Sequence, residues 1–196
     1  MATATKSQNG NQSDRQPAYA TRHRRLQIAV WQNDSSNGTF FTASVQRSYK
    51  DGEEWKRSSS TLNRDDLLVA AKLLNWSHSA VAVAVSTKAT AKSPKHPVSS
   101  QRYRNLEVAV WRREGENDPF YTVSLKRSYK KDDAWHDSTI SLSNDDLLPL
   151  ARLMERACDA IDDLYEEGDF SQPESNGGTQ NGATSSNSGE MEPPPF

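Results

Sequence analysis

The sequence predicts an α+β fold built twice: two tandem copies of an antiparallel β-sheet followed by a helix, with disordered termini. Three observations predict it. The stretch FFTASVQRSYKDGEEW at Phe40 to Trp55 returns at Phe120 to Trp135 as FYTVSLKRSYKKDDAW, 80 positions later, and an ungapped alignment from Arg22 to Ala80 gives 24 identities in 59 positions. Within each copy, apolar residues first alternate, the period of a half-buried strand, and then fall at helical spacing. Outside the copies, the composition turns polar and repetitive, with too little apolar surface to offset the entropy of ordering. The division expected is a disordered N-terminal arm at 1–21, repeat 1 at 22–85, a basic Pro/Lys/Ser linker at 86–101, repeat 2 at 102–167, and a disordered tail with an acidic Pro-Phe tip at 168–196.

Each copy opens on cations, Arg22-His23-Arg24-Arg25 or Arg102-Tyr103-Arg104, and then Leu26, Ile28 and Val30 alternate with Ala29 and Trp31. A polar turn (NDSSNG at 33–38, REGEND at 113–118) leads to a long strand ending in Arg-Ser-Tyr-Lys. There Phe41, Ala43 and Val45 continue the core face, and Phe40, Thr42, Ser44 and Gln46 point away from it. A second turn near Asp51-Gly52-Glu53 reverses the chain into Trp55 to Leu62. If no bulge intervenes, Trp31, Phe40 and Trp55 share the side away from the helix. Three strands per copy are identified in this way. Asn63 with Asp65 and Asp66, and Ser143 with Asp145 and Asp146, read as helix N-caps with acids in the first turn, where the dipole favours them. Leu147, Ala151, Met154, Cys158 and Ile161 follow as the stripe covering the sheet, and Pro149 removes one backbone bond from that helix.

The charge is segregated. The net of −2 conceals a body of 24 basic and 17 acidic residues up to position 158, followed by nine acids and no Lys or Arg. A basic body suggests a polyanionic partner, and an acidic tail can compete for the same surface. Cys158 is the single cysteine, so no internal disulfide forms, and its place on the apolar stripe makes it a small core residue. No apolar run approaches the roughly 20 residues that span a bilayer, and the N-terminal segment has no apolar signal region; a cytoplasmic, nucleoid-associated protein is expected. His23, His78, His96 and His136 stand apart, no His or Cys spacing fits a metal, and no glycine-rich phosphate loop is present. The expectation is therefore a protein with no cofactor or metal, and not an enzyme; the paired aspartates are helix caps rather than an acid-base couple.

Cations interleaved with flat rings on an extended segment suit a single-stranded nucleic acid, the cations for phosphates and the rings for base faces. The candidates are Arg22, Arg24, Trp31, Phe40, Arg47, Tyr49, Lys50, Trp55 and Lys56 in the first copy, with Arg102, Arg104, Trp111, Phe120, Lys126, Arg127, Tyr129, Lys130 and Trp135 in the second. Arg47 and Tyr49 share parity with the core, so whether they face the ligand or the core stays open. The arginines at 22, 24, 102 and 104 read equally well as solubilising charge. RNA binding, or a transcription cofactor that meets melted promoters, is the alternative within nucleic acids, and a scaffold binding acidic proteins through its Arg and Trp rims is the alternative from outside them.

Strand, long Arg/Lys-ended strand, Trp strand and capped helix, in that order, resemble the single-stranded DNA-binding domain of the transcriptional coactivator positive cofactor four. The matching helix-entry runs are Ile140-Ser141-Leu142-Ser143 and Ser60-Thr61-Leu62-Asn63. The resemblance covers roughly 22–82 and 102–165 and implies four strands per copy, pairing through helices into a pseudo-dimer, and DNA on the sheet faces. A fourth strand would then be missing or hidden in the Leu26 to Trp31 and turn region. Separately, the Gly/Asn/Gln-rich tail ending in GEMEPPPF resembles that of bacterial single-stranded DNA-binding proteins. This implies that Glu190, Glu192, Pro195 and Phe196 dock replication and repair proteins, the Phe supplying apolar anchorage and the acids steering.

Overall fold

The computed structural model describes residues 16–168, apart from 37, 92, 94, 116 and 117. The first copy forms β1 (Tyr19–His23), β2 (Leu26–Ser35), β3 (Gly38–Asp51), β4 (Glu54–Asn63) and α1 (Arg64–Ser86). The second forms β5 (Ser99–Tyr103), β6 (Leu106–Arg113), β7 (Phe120–Lys131), β8 (Ala134–Ser143) and α2 (Asn144–Glu167). Each copy is a four-stranded antiparallel meander in chain order, so the α+β tandem repeat is established.

The fourth strand is neither missing nor hidden in the turn region: it precedes the three expected ones. Tyr19–His23, placed partly in the N-terminal arm, pairs along β2 from Tyr19↔Val30 to His23↔Leu26, and Ser99–Tyr103, placed partly in the linker, pairs likewise with β6. These short edge strands carry no aliphatic alternation. Main-chain hydrogen bonds hold them, and the ladders extend to Ala18 N–H on Val30 O (2.9 Å) and Val98 N–H on Val110 O (2.8 Å). Arg24 and Arg104 turn the β1–β2 and β5–β6 hairpins with φ of 52° and 53°. Gly52 takes a φ of 62° in the β3–β4 turn, where the second copy puts Asp132 and Asp133 at 49° and 60°.

The strand registers run without a bulge in both sheets. One face of each sheet therefore carries the apolar core: Leu26, Ile28, Val30, Ala43, Val45 and Leu62 in the first, and Leu106, Val108, Val110, Val123, Leu125, Ile140 and Leu142 in the second, are buried. Burying each such leucine or isoleucine contributes about 1.5–3 kcal/mol, enough to fix the register wherever one face is dry.

What covers those faces is not the helix of the same copy. α1 packs chiefly on β6 and β7, and α2 on β1 and β2, so the copies exchange helices. Tyr165 of α2 meets Phe41 of β3 edge-to-face at 4.9 Å, and the Tyr121 hydroxyl of β7 donates to Ala89 O beyond the end of α1 at 2.9 Å. The helices run antiparallel against one another: Arg64, first in α1, makes a two-pronged pair with Asp162 near the end of α2, at 2.5 and 2.9 Å. The sheets also touch through β4 and β8, where the Ser60 and Ser138 hydroxyls are 2.8 Å apart.

The capping boxes form as expected, Asn63 with Asp66 and Ser143 with Asp146, and α2 continues through Pro149. Cys158 is buried in the core, which pushes its thiol up. One expectation needs correcting. α1, at 23 residues with an 18-residue window of mean hydropathy 1.3, is long and apolar enough to cross a membrane by length and composition alone. Its hydrophobicity has a local use, since Leu67, Ala70, Ala71, Leu74 and Val81 are buried in the core.

Candidate nucleic-acid interface

The face of each sheet away from the helices is fixed by the pleat. On β2, β3 and β4 it carries Gln27, Ala29, Trp31 and Asn33, then Phe40, Thr42, Ser44, Gln46, Ser48 and Lys50, then Trp55, Arg57, Ser59 and Thr61. Arg22, opposite Gln27 on β1, joins them. The parity expected for Trp31, Phe40 and Trp55 therefore holds, and the 80-residue offset carries it to Trp111, Phe120 and Trp135.

Two aromatic stations stand at opposite ends of each face. Trp31 lies opposite Thr42, and Trp55 lies opposite Lys50, eight residues further along β3, about 27 Å at strand rise. They differ in character. Trp55 is 71% exposed and Trp135 72%, whereas Trp31 and Trp111 are half-buried and donate their Nε1–H groups to Ser44 and Ser124 hydroxyls at 2.9 Å. Phe120 is exposed and Phe40 half-buried. Between the stations the floor is made of small hydroxyl and amide side chains, Thr42, Ser44, Gln46, Ser59 and Thr61. Sequence reasoning placed Thr42, Ser44 and Gln46 on this face without counting them as site residues, and did not single out Ser59 or Thr61, although their alternation with core residues marked them. In the second copy the floor opens into a hollow of about 330 Å³ lined by Ala109, Trp111, Arg113, Ser124, Thr139 and Ser141, with Glu107 and Lys126 joined across it at 3.0 Å.

At the Trp55 end, Arg22, Arg24, Arg25, Lys56 and Arg57 converge with Ser48 and Trp55 on a hollow of about 550 Å³. Arg25 and Arg57 are additions to the expected set. Lys56 has inner parity but stands at the exposed rim, and hydrogen bonding to Asp51 raises its ammonium above the ordinary value. Lys130 pairs with Asp133 at 2.7 Å. Arg102 donates to Arg104 O, and Arg104 lies over the Tyr103 ring, 5.5 Å from its centroid.

Four candidates belong elsewhere. Arg47 and Arg127 point to the helix side and are only 13% exposed; Arg47 Nε bonds Asp146 Oδ2 at 2.6 Å and Arg127 Nε bonds Asp66 Oδ2 at 2.8 Å. Tyr49 and Tyr129 lie on the same side, each under its neighbouring guanidinium at 5.6 and 5.5 Å, and Tyr129 also stacks on His136. Their parity, left open by the sequence, puts all four on the helix side: the two arginines fasten one copy to the other, and the two tyrosines lie half-buried beside them. Asp66 and Asp146, read as caps, are caps and ion-pair partners together.

Glu190, Glu192, Pro195 and Phe196 lie outside the described residues. Among the described residues no group of three or more His, Cys, Asp or Glu side chains is arranged to hold a metal ion. No protein-family model matches the chain, and no curated protein matches it.

Proposed function

We propose that the protein binds single-stranded DNA along the outer faces of its two sheets, with little sequence preference. The observation that carries this reading is the pair of nearly bare indoles, Trp55 and Trp135, each opposite a lysine on a polar sheet face. A large apolar ring exposed among polar neighbours costs solvation with no packing in return, and stacking on an unpaired base recovers about 1–3 kcal/mol per base. The cations at the rims supply phosphate contacts, the serine and threonine floor leaves room for the sugar-phosphate chain, and neither needs a base identity. In this reading the protein works by binding, in the cytoplasm on the nucleoid, and is not an enzyme. The helix-exchanged pair of four-stranded sheets supports a fold of the positive cofactor four type with the dimer fused into one chain. The tail would serve as the recruiting element for replication and repair proteins, through Glu190, Glu192, Pro195 and Phe196.

The test is a titration of the full chain with poly-dT, following tryptophan fluorescence at several salt concentrations. Quenching that weakens with salt, at about 0.7 in log-log slope per phosphate neutralised, is expected. Trp55→Ala combined with Trp135→Ala should remove most of the quenching and weaken binding while leaving the unfolding midpoint in place. No quenching at low salt would overturn the proposal, and stronger competition by matched RNA would redirect it to RNA. Deleting Glu190 to Phe196 should tighten binding slightly at low salt and abolish capture of partner proteins; identical behaviour of the two forms removes the tail from the scheme.

A further inference from the structure

The two sheets are images in backbone but not in charge. On β2, β3 and β4 the outward positions of the first copy hold no carboxylate. The second copy places two there, Glu107 where the first has Gln27 and Asp137 where it has Arg57. Of its two added outward cations, Lys126 in place of Gln46 is paired with Glu107, and Arg113 in place of Asn33 stands at the far end of the face over the Trp111 ring, 5.8 Å from its centroid. Both acids are already engaged, Glu107 with Lys126 at 3.0 Å and Asp137 with the Ser128 hydroxyl at 2.6 Å, so they are fixed at the surface a phosphate would approach. The rim differs in the same sense. Arg25, Lys56 and Arg57, which share the hollow beside Trp55, correspond to Asn105, His136 and Asp137 beside Trp135.

We infer that the two faces are unequal ligand sites: the first sheet is the primary phosphate-binding half, and the second is a weaker half that holds the strand mainly by stacking. This rests on the proposed function and specifies how that site is divided. An outward carboxylate repels a phosphodiester, while each cation brought to one releases a counterion, so the same backbone geometry yields different affinity and different salt dependence. The acids of the first copy do not cancel this. Asp51 and Glu54 have inner parity, and Asp51 answers Lys56 alone; Asp146 stands 3.9 Å from Arg25 but leaves Arg57 and Arg22 untouched. A strand bound to the whole chain would therefore have a preferred end, anchored at Trp55 and extended toward the second sheet.

The test uses the full chain and a dT oligomer of about eight nucleotides, within the range one compact binding module covers. Fluorine-labelled tryptophan gives each indole its own NMR line, and Trp55→Phe and Trp135→Phe assign the two lines that report on the first and the second sheet. The Trp55 signal is expected to respond at lower oligomer concentration and with the steeper salt slope. Arg57→Asp should weaken binding about tenfold and lower the slope by about 0.7. Asp137→Arg with Glu107→Gln should bring the Trp135 site up to the level of the first. Both changes are on exposed or half-exposed side chains, and unchanged unfolding midpoints show that the sheets are intact. Equal responses of the two reporters, or an earlier Trp135 response, would overturn the inequality while leaving DNA binding standing. A wild-type chain that gives no response to any oligomer would overturn the binding function itself.

Discussion

Arg47 Nε lies 2.6 Å from Asp146 Oδ2, an ion pair that joins the third strand of the first copy to the helix of the second across 99 positions of sequence. Its image, Arg127 with Asp66 at 2.8 Å, joins the other sheet to the other helix. Each acid also closes the capping box of its own helix, so one carboxylate ends a helix and docks it. The repeated Arg-Ser-Tyr-Lys thus owes its arginine to assembly of the two copies.

Removing one member of such a low-exposure pair strands the other charge, at a cost of about 3–5 kcal/mol. Arg47→Met should lower the urea midpoint of the full chain substantially. Its affinity for poly-dT, measured below the unfolding transition, should change little. A large affinity loss with unaltered stability would return Arg47 to the ligand face.

The same contact sets an acid limb. Burial would raise the Asp146 carboxyl, but the Ser143 hydroxyl and backbone N–H and the Arg47 guanidinium outweigh burial and hold it below its ordinary value. A carboxyl lowered in the folded state adds stability that is complete above its unfolded value, about 3.9, and is lost as pH falls through the folded value. The urea midpoint should therefore drop as pH is taken from about 5 to 3, and Asp146→Asn, weaker throughout, should show a shallower drop. Parallel pH curves would remove Asp146 from the acid response.

Because the helices are exchanged, a single copy has no cover for its own sheet. A chain of residues 16–98 should be unfolded at low concentration or assemble in pairs, with helicity by circular dichroism rising with concentration. A concentration-independent, folded monomer would contradict the exchange.

The sheet junction is less symmetrical than the sheets. Ser60 and Ser138 share a hydrogen bond, but the offset image of that pair is Ile140 with Ser58. Isoleucine offers no polar atom, and among the described residues the Ser58 hydroxyl is a buried side-chain group with no hydrogen-bond partner. Ser58→Ala should leave the unfolding free energy unchanged or raise it, while Ser60→Ala should lower it by about 1 kcal/mol. A reversed order in urea titration would show that the junction is arranged otherwise.

The duplication, the α+β order, the helix starts at Asn63 and Ser143, and the outward placement of Trp31, Phe40 and Trp55 were all legible in the sequence. Each follows from a local period: alternation assigns a strand residue to one face or the other, and a capping serine acts on residues three positions away. β1 and β5 escaped because Tyr-Ala-Thr-Arg-His and Ser-Ser-Gln-Arg-Tyr carry no alternating aliphatics, and an edge strand can be held by main-chain bonds alone. Tertiary structure alone decided which apolar face meets which. A helical stripe states that it must be buried but not against what, so the crossing of α1 onto the second sheet, and of α2 onto the first, was invisible in sequence. That crossing also turned Arg47 and Arg127 from ligand candidates into inter-copy ties. An ion pair between residues 99 positions apart has no local signature, because what selects its partner is the proximity that the fold creates.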